Sequence, residues 1–248
     1  MKLSVVIPCY ARHELSIRHV EECLKSYRLP DEIIIINDGG DPSLREMLLE
    51  KVIYNKKRLT DIIYARIDQD ILWNYNGACN LGVWLSTGDI IALEDTDHIP
   101  ARGLYELGMM TLDSRPEIDR IGVRRAVVNI NDVMTKPMEE WTAIKGWGSN
   151  QMVTLFRRDM YLKLKGQDER FAGNYGWMAY DWPMRYKRAG IQTATISGYW
   201  AVVGDDGEPG LKRGLSVENR RIYRSNANSG SYQHPEGILK FTYTYERF

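Results

Sequence analysis

Short uninterrupted apolar runs alternate with helical periodicity through the first hundred residues. Leu3 to Ile7 reads as a strand, after which Val20, Cys23, Leu24 and Tyr27 recur at helical spacing. Glu32 to Ile36, with four consecutive isoleucines, forms a second strand. Asp41-Pro42 then supplies an N-cap and first-turn proline for a helix carrying Leu44, Met47 and Leu48. Ile62 to Ala65 is a third strand. Ala78, Leu81 and Leu85 mark a further helix, which Gly88 closes in a left-handed cap before a fourth strand, Ile90 to Leu93. Continuous apolar strands separated by helices predict an α/β fold: a mostly parallel, Rossmann-like central sheet with helices on both faces.

Beyond residue 100 the texture changes. A helical pattern spans Leu104 to Leu112, and strands are expected at Ile121 to Val128 and Gln151 to Phe156. From Gly204 onward glycine, aspartate, serine and asparagine become frequent, as in a loop or mobile tail. The expected organisation is one domain, 1–203, with halves at 1–100 and 101–203, followed by a tail at 204–248. No internal repeat is evident.

Composition narrows the function classes. Lys+Arg and Asp+Glu balance at 33 each, so no global field points to nucleic acid or an anionic membrane. The cysteines, Cys9, Cys23 and Cys79, contain no C-x-x-C pair, against both a disulfide framework and a zinc knuckle. No stretch of about 18 apolar residues offers a spanning helix. A cytoplasmic protein is expected, with peripheral membrane attachment left open.

The chemistry concentrates at strand ends. In IIALEDTDHIP, residues 90–100, an apolar strand runs into three carboxylates, a histidine and a proline. In parallel sheets ligands collect at the carboxyl ends of strands, and this puts Pro8 to Arg12, Asn37 to Gly40 and Glu94 to His98 on one edge. Asp95 and Asp97, two apart in extended backbone, can share one divalent cation, and oxygen ligands with positions left for phosphate suit Mg²⁺ or Mn²⁺. The plainer alternative is a solvated turn. Asp38 can accept hydrogen bonds from a base or ribose, and its following glycines let backbone approach a ligand, although Asp-Gly-Gly is also simply a good turn. Asn80 and Gly82 are odd choices inside a helix and suggest one that leans on a ligand. Pro183 belongs in a helix's first turn, which puts Asp181 at that helix's N-terminus, where burial between Tyr180 and Trp182 suits a general base and an N-cap is the simpler role. Five of the seven tryptophans, Trp141, Trp147, Trp177, Trp182 and Trp200, lie in the second half, where each either stacks on a sugar or fills core.

Taken together, SVVIPCYAR, DEIIIINDGG, the Asn74 to Gly82 run, GDIIALEDTDHIP, QDERF and YDWPMRYKRAG resemble glycosyltransferase family 2 over about residues 1–190. The resemblance implies the GT-A fold and an inverting transfer from a nucleoside-diphosphate sugar, usually UDP-linked, with a divalent metal. It implies that Pro8, Tyr10 and Arg12 border the nucleotide with Asn80, that Asp38 reads the base, that Asp95 contacts ribose and metal-bound water, and that Asp97 binds the metal. Asp181 resembles the catalytic base, although Tyr180-Asp181 stands where the family commonly has Glu-Asp. Trp147, Trp177, Tyr180 and Trp182 fall on the acceptor side. His234 is open as a third metal ligand, against a plain surface histidine, and His98 and Glu94 are unassigned. Lys212, Arg213, Arg220, Arg221 and Arg224 form a modest basic stretch. The acceptor is open among a glycan, a lipid-linked saccharide and a phosphate-rich polymer, nucleic acid included. Two other readings stand beside the enzyme: a nucleotide-sugar binder without catalysis, and a sugar-1-phosphate nucleotidyltransferase.

Overall fold

The computed structural model describes residues 1–54, 59–204, 215–235 and 237–248. Nine strands form one sheet: β1 (Leu3–Cys9), β2 (Glu32–Asn37), β3 (Asp61–Ile67), β4 (Ile90–Leu93), β5 (His98–Pro100), β6 (Arg120–Asn129), β7 (Lys145–Arg157), β8 (Thr193–Val203) and β9 (Tyr243–Arg247), in the order β5-β8-β6-β7-β4-β1-β2-β3-β9. The α-helices are α1 (His13–Cys23), α2 (Ser43–Leu48), α3 (Tyr75–Leu85), α4 (Leu104–Ser114), α5 (Ile130–Thr135), α6 (Arg158–Lys163), α7 (Met178–Arg188) and α8 (Val217–Ser229).

The continuous apolar runs become the parallel centre of the sheet, where β4, β1, β2 and β3 lie side by side. Ile33, Ile34, Ile35 and Ile36 are all buried because both faces are covered. One face packs α1 and α4 through Ile17, Val20, Leu104 and Tyr105, and the other packs α3 and α7 through Ala78, Leu81, Trp182 and Tyr186. Beyond β4 the sheet is mixed: β7 runs antiparallel to both β4 and β6, whereas β8 is parallel to β6.

Gly82 is set by packing. A Cβ there would lie 2.2 Å from Val6 Cγ1, so only glycine lets α3 sit this close to β1. Gly88 does not form the expected left-handed cap. The helix ends at Ser86 in extended backbone, and the Gly88 amide instead donates to Ser4 Oγ at 2.8 Å. Likewise Pro183 lies inside α7 rather than in its first turn, because the chain turns through Trp177 in the left-handed region (φ 70°) and the helix begins earlier, at Met178.

The stretch from 204 onward is not simply a loop. It supplies α8, which packs on α7, and β9, which pairs antiparallel with β3 from Ile67↔Tyr243 to Ile63↔Arg247. Lys212 and Arg213 lie outside the described residues. Among the described residues no helix is long and apolar enough to cross a membrane.

Candidate functional site

Three strand ends meet because β4, β1 and β2 are adjacent in the sheet. Backbone hydrogen bonds stitch them together: Asp38 N donates to Cys9 O at 2.8 Å and Glu94 N to Val6 O at 3.0 Å, while Thr96 Oγ1 reaches Pro8 O at 2.9 Å. The segments predicted to share an edge therefore do. Pro8 ends in the sheet, and Tyr10 stands beyond it, 49% exposed. Arg12 takes the left-handed conformation (φ 62°), which costs an L-residue about 1–2 kcal/mol. From there its guanidinium reaches Asp97 Oδ2 at 3.3 Å.

Asp38 is buried, with Asn74 Nδ2 donating to its Oδ1 at 2.9 Å. Burial, with the Asp70 charge assisting, pushes its carboxyl up to about 7 against the amide's opposing pull. The next residue, Gly39, has φ 74°, and a Cβ there would meet Gln69 O at 2.4 Å. The glycine thus admits the chain's own backbone rather than a ligand.

Each of the three acids after β4 has a different fate. Glu94 points inward and is 0% exposed, accepting from His19 Nε2 at 2.8 Å, Tyr199 Oη at 2.7 Å and Tyr105 Oη at 3.0 Å. Asp95 and Asp97 are half-buried at the same sheet edge. Asp95 Oδ1 accepts from Tyr75 Oη at 2.5 Å, and Asn150 Nδ2 lies 3.5 Å from its Oδ2. Asp97 Oδ1 meets His98 Nδ1 at 2.7 Å. Burial lifts the Asp95 carboxyl and the Asp97 charge adds to it. At Asp97 burial works the same way, but the His98 hydrogen bond and the guanidiniums of Arg12 and Arg125 outweigh it and hold the carboxyl low. Ligand atoms of Asp95, Asp97 and His98 all lie within 4.8 Å of one another, and the two carboxylates supply oxygen donors of the kind that suits one divalent cation.

His234 does not join this group. It is buried, with Nε2 2.7 Å from Lys165 O, and is neither a surface residue nor near enough to count among these ligands. Asn80 is also removed from the expected nucleotide contacts. Its Nδ2 donates to Gln167 O and Glu169 Oε1, and its Oδ1 accepts from Tyr161 Oη and Gln167 N, all within 2.9 Å. Every polar capacity of that amide is used to hold the QDERF loop on α3. Trp182 is core, 2% exposed and tilted against Tyr161 at 5.2 Å.

From Asn150 a groove of about 960 Å³ runs along α7, lined by Ala179, Tyr180, Met184, Lys187 and Tyr223. Trp177 stands at the α7 N-terminus, stacked on Tyr223 at 5.4 Å and 5.5 Å from Tyr180. Trp147 lies in β7, its side chain outside the described residues. Asp181, in the first turn of α7, is 2% exposed. Asn226 of α8 donates to its Oδ1 at 2.8 Å and Arg185 lies 3.8 Å from its Oδ2. Burial raises the Asp181 carboxyl despite both partners.

Tyr75, Arg125 and Asn150 join the acids without having been expected there, and His98, unassigned from sequence, contacts Asp97 directly. Arg125 left a trace, as one of three arginines in the largely apolar β6, but Asn150 left none.

The sequence matches the model of Glycosyl transferase family 2 over residues 4–178. No functionally curated protein matches it in sequence. Among solved structures it is similar to S. aureus TarS 1-349 in complex with UDP-GlcNAc, with a TM-score of 0.64 at 11% identity, covering 91% of this chain and 66% of that one. The complex of the same protein with UDP gives a TM-score of 0.62 at 11% identity, covering 93% and 65%. This chain thus spans just under two thirds of TarS 1-349, and at such identity the likeness is one of fold.

Proposed function

We propose, for a chain that belongs to glycosyl transferase family 2, that the cleft transfers a sugar from a nucleoside-diphosphate sugar to an acceptor hydroxyl with inversion. The observation that carries the reading is the convergence of Asp38, Arg12, Asp95 and Asp97 on one sheet edge, continuous through Asn150 with the groove along α7. UDP and UDP-GlcNAc bound to the structurally similar TarS support a UDP-linked donor. Asp38 accepts an N–H of the base, and Tyr10 and Arg12 flank the nucleotide. Asp95 and Asp97 would hold Mn²⁺ or Mg²⁺, which when bound neutralises charge on the departing diphosphate. Asp181 takes the acceptor's hydroxyl proton as that oxygen bonds to the anomeric carbon. The bond from that carbon to the phosphate oxygen breaks, its electron pair leaving with the nucleoside diphosphate. Trp177 and Tyr180 offer faces to the acceptor.

UDP with Mn²⁺ is expected to raise the melting temperature, corresponding to about 2.7 kcal/mol at a hundredfold excess over Kd. Asp97→Ala removes the rise. Absence of any shift with every nucleoside diphosphate and metal would overturn the reading.

A pH dependence follows from Asp38. With its carboxyl at about 7, it is protonated at lower pH and cannot accept the base's N–H. UDP affinity is therefore expected to climb with pH and level off above about 7, changing roughly tenfold per unit on the acid side. Calorimetric titrations from pH 5.5 to 8.5 check this, and a flat profile would remove Asp38 from base recognition.

One observation favours a second reading. The Asp181 carboxylate is turned to Asn226 and Arg185, as a structural brace would be, and the chain is then a nucleotide-sugar binder without turnover.

A further inference from the structure

His98 stands at the start of β5, 4% exposed, directly after the metal-type acids. Its ring touches different chemistry at each nitrogen. Nε2 meets Arg125 Nη1, and Asn150 Nδ2 lies 3.3 Å from it. The Asn150 amide is oriented by a separate contact, since its Oδ1 accepts from Met152 N at 3.0 Å and its nitrogen must therefore face the histidine. Guanidinium and amide nitrogens only donate, so Nε2 is the acceptor and the ring hydrogen sits on Nδ1. Nδ1 in turn lies 2.7 Å from Asp97 Oδ1.

We infer that His98 is a positioning residue rather than a metal ligand: fixed by Arg125 and Asn150 in the Nδ1–H tautomer, it donates to one oxygen of Asp97 and presents the other to the cation. This rests on the proposed donor site. Among the described residues the remaining oxygen, Oδ2, meets the exposed Arg12 at 3.3 Å, a pair that a surface site makes weak. Arg12 is thus free to turn to an incoming diphosphate while His98 keeps the carboxylate in place. The chain Arg125, His98, Asp97 couples β6 to the acid loop through two consecutive hydrogen bonds. Second partners of this kind typically tune metal affinity by about 10–100-fold.

Substitutions separate the two roles of the ring. An asparagine at 98 carries its amide nitrogen near the place of Nδ1 and keeps the donor, but it is a poor replacement for an imidazole ligand. Mn²⁺ binding with UDP present, followed by electron paramagnetic resonance, is expected to weaken about 10–100-fold in His98→Ala and to recover most of that loss in His98→Asn. Long-range ¹H–¹⁵N spectra of the protein without metal are expected to place the His98 hydrogen on Nδ1 in the wild type and to lose that signature in Arg125→Met. Equal affinity of His98→Ala and wild type overturns the inference, as does His98→Asn binding as poorly as His98→Ala, which marks a direct ligand. A hydrogen found on Nε2 overturns it too. If the wild type binds no Mn²⁺ with UDP, the donor-site reading fails instead, and the spectra alone decide the tautomer.

Discussion

Glu94→Ala is expected to lose about 3–5 kcal/mol of unfolding free energy, the cost typical of removing one side of a buried charged network. Its carboxylate accepts from His19, Tyr105 and Tyr199, all of them 0% exposed. Truncation leaves His19 Nε2 and Tyr199 Oη without this acceptor, each costing about 1–3 kcal/mol when left unpaired in a core, while Tyr105 Oη keeps only Cys23 Sγ at 3.2 Å. The midpoint of a denaturant titration measures this, with metal absent so that any effect on the neighbouring acids drops out. A loss below about 1 kcal/mol would mean that the cluster rearranges or hydrates and that Glu94 is not the brace between β4, α1 and α4. The same experiment separates Glu94 from Asp95 and Asp97, which sit within three residues of it and face the opposite way.

Asp181→Asn is expected to lower turnover by roughly 10²–10⁴-fold, the range that proton transfer by a positioned group contributes. The substitution keeps the volume, and the amide oxygen still accepts from Asn226, so UDP affinity should change little, while the melting temperature falls because buried Arg185 loses its counter-charge. Transfer to an acceptor, or slow hydrolysis of the donor, provides the rate. Because burial raises the Asp181 carboxyl, the wild-type rate should rise with pH on its acid limb as the base loses its proton. Unchanged hydrolysis in Asp181→Asn would leave this carboxylate as a brace tying α7 to α8. If UDP still binds and no donor is hydrolysed by the wild type either, the chain is a nucleotide-sugar binder.

The parallel centre of the sheet was legible because its strands are buried on both faces and so read as unbroken apolar runs, as Glu32 to Ile36 does. The strand-edge argument then brought Asp38, Asp95 and Asp97 together. What escaped depended on partners distant in sequence. β9 is exposed along most of its length and is a strand only because β3 lies beside it. α8 carries Asn226 and Ser229 where better helix formers would be expected, and is held by Asn219 and Asn226 bonding to the α7 side of the site. Asn80 is unusual inside a helix, but its partners lie 87 and 89 residues away, so sequence alone does not tell a protein partner from a ligand. Glu94 illustrates the same limit: three acids within four positions look alike until burial sorts them.

The pairing of β9 with β3 has a consequence for how the molecule is made. Residues 243–247 complete the edge beside residues 63–67, so that side of the isoleucine-rich sheet stays open while everything between is being synthesised. Contacts of such long range are formed late and slow the folding of a domain, and an unpaired edge is the surface on which nascent chains associate. The ion pairs that Arg45 makes with Glu246, and Arg247 with Asp61, then act as a clasp that shuts only once residues 246 and 247 have been made.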